Sequence, residues 1–174
     1  MKFLIGILVG VILTGAAIVA YFWFGFAPVA VADKPMPFER TIADRALDAH
    51  IARQPMKDSP LVESEANVVS GAYLYGMYCA GCHGLPDKPK GALAGAMFPS
   101  PPQFFAHAGG HGGHPIGEDY WKVANGIRLS GMPSFQNILS ESELWQVCEL
   151  LEHKNALPDA AKSALASTDS APSK

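Results

Sequence analysis

Cys79-Ala80-Gly81-Cys82-His83 constrains this chain more than any other stretch. Two thiols stand two residues apart and an imidazole follows at once. Such a pair is half of a zinc site, but a structural zinc needs four ligands and no second pair exists. It is also the form of a dithiol redox pair, but no alternating strand–helix pattern surrounds it. What the whole pentapeptide suits is attachment of a c-type haem. The thiols add across the two vinyl groups, and His83 is placed under the iron as its proximal ligand. One motif implies one covalently attached haem c.

The iron needs a group opposite His83. Met132 lies in a Gly131-Met132-Pro133 turn some fifty residues on. A stiff turn can present its thioether from the far side, and His/Met ligation raises the reduction potential. The rival ligands are the histidines of His107-Ala-Gly-Gly-His111-Gly-Gly-His114. Three imidazoles could also converge on copper, zinc or nickel. The glycines between them make ordering that segment costly in entropy, which favours a solvated loop. A peroxidase-like site, with a histidine over open iron, would require Met132 to leave.

Taken in order, the chain divides into an apolar leader (1–28), a linker (29–62), a haem domain (63–155) and a tail (156–174). Phe3 to Ala27 is apolar apart from glycines and Thr14, and long enough at 1.5 Å per residue to span a bilayer with tilt. Tyr21-Phe22-Trp23-Phe24 sits at its far end, where an interfacial belt belongs. Lys2 orients the N-terminus towards the cytoplasm, so the haem domain would face the periplasm. Ala30-Val31-Ala32 offers the rival of a cleaved signal, but the apolar run exceeds a signal's usual ~7–15 residues. A retained anchor is favoured.

The linker carries Pro35, Pro37, Pro55 and Pro60. Between them, residues 41–54 read as a short amphipathic helix with Thr41 and Asp44 as its cap pair. Ser64 caps a helix running to Cys79, on which Gly71 suggests a close helix crossing. Residues 84–117 read as a long loop wrapped around the haem, with Leu93, Met97, Phe98, Phe104 and Phe105 available to line the pocket. A short helix covers 118–124 and ends at Asn125-Gly126. Ser140 and Glu143 form a capping box that opens a last helix to about His153, with Cys148 on its apolar stripe as a buried small hydrophobe. From Asn155 the chain turns to Ala, Ser, Pro and Asp, a composition that suggests disorder.

The whole chain has a formal charge of −3. Beyond Pro60 there are seven cationic and eleven acidic residues, a balance of −4. That argues against nucleic acid and against a basic docking ring. A partner would be met by apolar contact near the haem edge or through a basic patch of its own.

Gly71, Tyr75 and Cys79 keep the glycine–aromatic–cysteine spacing of the first helix of class I cytochromes c. Together with the haem motif, the Asn125 to Pro133 methionine loop and the capped last helix, residues 64–153 resemble that family, and in particular its small membrane-anchored bacterial monohaem members. The resemblance implies an all-α class I cytochrome c fold in which the first and last helices cross near Gly71 and Tyr75. Leu150 stands where the family often has an aromatic. The resemblance also implies electron transfer without chemistry on a substrate, and it puts Trp121 and Arg128 near the haem propionates. Membrane redox complexes or other cytochromes are then the expected donor and acceptor. The main alternative is the haem subunit of a multi-subunit oxidoreductase, of the terminal oxidase or nitric oxide reductase type.

Overall fold

The computed structural model describes residues 1–106 and 114–169. Among the described residues there are helices and no strands: α1 (Lys2–Trp23), α2 (Glu39–Ile51), α3 (Glu65–Tyr78), α4 (Ala80–His83), α5 (Ala92–Gly95), α6 (Ile116–Asn125), α7 (Glu141–Glu152) and α8 (Asp159–Asp169). The chain forms two units, Met1–Arg45 and Ala46–Lys174. His107 and His111 lie outside the described residues.

In the first unit, α1 is long and apolar enough to cross a membrane and buries no residue. Its one internal hydroxyl is satisfied locally, since Thr14 Oγ1 donates to the Gly10 carbonyl at 2.9 Å. That bond lets a threonine sit in an apolar surrounding without an orphaned donor. Past α1, the Asp33 carboxylate accepts from the backbone N–H groups of Val29 and Ala30 and closes a turn. The start of α2 differs from the sequence expectation. Thr41 lies inside the helix, and Glu39 takes the capping part by accepting from the Met36 N–H at 2.8 Å.

In the second unit, α3 is the central element, with α7 and α8 packed against it. Ser64 caps α3 by accepting from the Asn67 N–H. The crossing with α7 is close because residue 71 is glycine: a Cβ there would run into the Gln146 carbonyl and press on Leu150. Gln146 Nε2 donates to Asn67 Oδ1 at 3.2 Å across the same crossing. The α7 capping box is present in both directions, and His153 ends the helix.

Two apolar clusters result. One joins Val68, Ala72 and Tyr75 of α3 to Leu150 and Leu151 of α7 and to Ala161, Ala164 and Leu165 of α8. The other joins Leu74 to Val123 and Ala124 of α6, Phe135, and Leu144, Trp145 and Cys148 of α7. Cys148 is fully buried, as its place on the stripe suggests.

The tail is a correction. Residues 159–169 are helical rather than disordered, and Ala161, Ala164 and Leu165 are buried. Small residues at helical spacing allow α8 to lie close on α3, where Gly76 gives room to Thr168. The loop expected over 84–117 is also broken by the short helix α5 and by the first turn of α6.

Candidate haem-attachment site

The motif occupies one turn that continues α3 after a bend at Cys79. Cys82 and His83 both donate their backbone N–H to the Cys79 carbonyl, at 3.1 and 2.8 Å. This turn brings the two thiols and the imidazole together. Cys79 itself packs against both apolar clusters, so it sits where the two cores meet.

Five further bonds tie the turn and the segment packed on it. The Tyr75 hydroxyl donates to the Gly84 carbonyl at 2.8 Å. Gln103 Nε2 donates to the carbonyls of Cys82 and Pro101 at 2.9 and 3.1 Å. The Phe104 N–H donates to the His83 carbonyl at 3.2 Å. His83 Nδ1 lies 2.9 Å from the Pro102 carbonyl. A carbonyl only accepts, so Nδ1 is the donor, and Nε2 is the nitrogen left for a metal to take. The Phe104 ring lies flat against the imidazole, with centroids 4.6 Å apart and planes at 15°. The ring is therefore fixed in both tautomer and orientation, as for a metal-binding histidine.

Burial, and then the neighbouring Cys82, push the Cys79 thiol up to about 12. Burial, and then Cys79, also raise the Tyr75 hydroxyl. Reactive dithiol pairs need the opposite, a lowered thiol pKa. The electrostatics thus disfavour a redox dithiol at this position.

The methionine loop is pinned to the end of α6. Gly126 has φ +68°, and a Cβ there would meet the backbone of Pro133. The Ile127 N–H donates to the Met132 carbonyl at 3.2 Å, and the Met132 N–H donates to Ser130 Oγ at 3.1 Å. Ser134 Oγ donates back to the Ala124 carbonyl at 2.7 Å. Met132 is half-buried and packs on the same cluster as Cys79. Gly131 abuts the Met97 side chain. Leu129 holds a left-handed conformation at φ +61° and is 93% exposed.

The donor set fits a haem held by two thioethers and an imidazole. Tyr78 beside the motif, Leu93 and Phe98 on the segment after it and Leu129 in the methionine loop are exposed apolar side chains. An apolar macrocycle held by the same segments offers them cover. Zinc has less support, because among the described residues no group of His, Cys, Asp and Glu could hold a metal ion.

The remaining candidates stand apart. Trp121 is half-buried with its ring 5.4 Å from that of His50. Arg128 is exposed. His114 is exposed and pairs with Glu118 at 3.3 Å, while Lys122 holds Glu118 from the other side at 2.7 Å. Sequence reasoning missed the Pro102 carbonyl, for which the Pro101-Pro102 pair was the signal. It also missed Trp145, which is fully buried and stacked on Tyr120 at 4.1 Å.

Residues 66–151 match the family described as cytochrome c oxidase, cbb3-type, subunit III. The match runs from the first turn of α3 almost to the end of α7 and takes in both the motif and the methionine loop. No curated protein and no solved structure matches the chain. The matched span is a c-type cytochrome domain in an all-helical chain, its cofactor is covalently bound haem c, and its role is electron transfer.

Proposed function

We propose that this chain is a membrane-tethered electron carrier that passes single electrons between respiratory complexes on the periplasmic face of the inner membrane. Cys79 and Cys82 would attach the haem through thioethers, and His83 and Met132 would hold its iron. The observation that carries this is the His83 imidazole, held through Nδ1 to the Pro102 carbonyl at 2.9 Å. Haem iron supplies a one-electron couple. The protein's part is to orient the imidazole and to present a thioether from a pinned loop. Thioether ligation favours the ferrous state and raises the potential.

The tether is α1, whose length and apolar surface suit a retained anchor. Confinement to a membrane-adjacent layer raises the effective concentration towards other membrane complexes. A second reading has its own support: the matched family is described as an oxidase subunit. In that case the chain is a fixed subunit of a terminal oxidase and not a shuttle.

The test is an optical spectrum of the haem-loaded protein, oxidised and reduced, with and without carbon monoxide. The oxidised wild type shows a sulfur-to-iron band in the far red and binds no carbon monoxide, and Met132→Ala removes the band. Ready carbon monoxide binding by the wild type would overturn the axial assignment. Gentle solubilisation then separates the two readings: a carrier elutes alone, a subunit with stoichiometric partners.

A further inference from the structure

A cleft of about 640 Å3 in the second unit contains none of Cys79, Cys82, His83 or Met132. It opens between the loop that follows the motif and the α7–α8 connection with α8. Phe104, Phe105 and Leu165 are apolar parts of its lining, and Lys88, Lys154 and Lys162 are its cations. Asp87 is the one acidic residue in that lining. Lys162 pairs with Asp159 at 2.9 Å, but both are exposed and such a pair is weak. Three of the seven cationic residues beyond Pro60 thus gather at one cleft of an acidic domain. Net charge alone, which argued against a basic docking surface, conceals this clustering.

The cleft is coupled to the proximal ligand. Phe104 lines it, stacks on the His83 ring at 4.6 Å, and donates its backbone N–H to the His83 carbonyl. One wall of the cleft comes from α8, which lies beyond the family-matched span. We propose that this cleft docks an acidic segment of a protein electron-transfer partner, with carboxylates against the three lysines and an apolar side chain against Phe104 and Phe105. Charge complementarity selects the occupant. Cations arrayed on three separate segments suit a surface carrying several carboxylates, and they steer its approach. This rests on the electron-transfer function and adds a docking site behind the proximal histidine.

The experiment uses the haem-loaded full chain in phosphatidylcholine nanodiscs at low salt, with an acidic blue-copper protein as the probe partner. Binding is read by titration calorimetry. The triple variant Lys88→Glu, Lys154→Glu, Lys162→Glu weakens it at least tenfold, whereas the triple Lys→Arg variant binds like wild type. A control with the same number of reversals at Arg53, Lys57 and Lys90 shows at most a twofold loss. Unchanged binding by the first variant, or equal loss in the control, overturns the proposal. So does a loss confined to hexacyanoferrate(II) or to phosphatidylglycerol vesicles, which would make the cleft a small-anion or lipid site. Oxidation of the reduced protein by tris(phenanthroline)cobalt(III) is unaffected by the three substitutions. Failure of that reaction in wild type would instead indict the electron-transfer function.

Discussion

The core shared by α3 and α8 and the core shared by α6 and α7 are built differently. The first is made with small residues: Ala72, Ala161 and Ala164 are almost wholly buried, and leucines fill the gaps. The second is made with rings: Trp145, Phe135 and the stacked Tyr120 dominate it, and Met132 packs on its edge. All buried members of the second core lie inside the family-matched span, whereas the first is completed from outside it by Leu157 and α8. Close helix approach and ring packing are two solutions to one task, that of filling the interior of a small domain. The ring-built core carries the methionine side of the site. The small-residue core carries the histidine side, through Leu85, Phe104 and Phe105.

Trp145→Ala breaks that contrast hardest. Removing a fully buried ring costs about 3–5 kcal/mol in chemical denaturation of the haem-loaded protein. Because Met132 rests on that core, the far-red sulfur-to-iron band weakens as well. Leu165→Ala costs about 2–4 kcal/mol by the same measurement and leaves that band intact, since its neighbours lie on the other side. A Leu165→Ala protein that lost the band would show that the two cores are not separable.

Ser140→Ala has a smaller effect, about 1 kcal/mol, because it removes the capping box at the start of α7, the helix both cores share. Its partner Glu143 is held below the usual carboxylate range by the Ser140 backbone N–H and then by its hydroxyl. Only the hydroxyl's bond to the Glu143 carboxylate is lost both to the substitution and to acid, so the melting-temperature gap narrows, without closing, as pH drops through the folded value.

His153 gives the smallest effect and the opposite sign. Its ring donates to the Glu149 carbonyl at 2.9 Å and faces Glu63 at 3.1 Å. The carbonyl bond first, and Glu63 with it, raise its pKa against a modest opposing burial. A group raised on folding contributes fully below its unfolded value of about 6.5 and loses that contribution as pH rises through the folded value. The melting-temperature gap between wild type and His153→Gln is thus widest near pH 5 and gone in mild alkali.

Much of this organisation was legible in the chain. The motif, the Ser64 and Ser140 caps and the Gly71 crossing are local signals, each read from one residue type in one place. What escaped was less local. The alanines of α8 read as disorder because their stabilisation comes from fitting against Gly76 and Ala72 and not from their own hydrophobicity. The Pro102 carbonyl is a backbone group with no side-chain signature. Thr41 looked like a cap because capping residues also occur inside helices. The gathering of lysines 88, 154 and 162 depends entirely on the fold.

Cys148 has a consequence for maturation. The chain carries three thiols, and a haem needs two. In an unfolded chain in an oxidising compartment, all three compete for partners and a wrong disulfide is as easily made as a right thioether. Docking of α7 ends the competition by access: Cys148 becomes fully buried, whereas Cys79 and Cys82 both stay partly exposed. The packing of one helix thus edits the reactive inventory, leaving Cys79 and Cys82 as the pair open to the vinyl groups. The hazard of mispairing is confined to the interval before α7 finds α3.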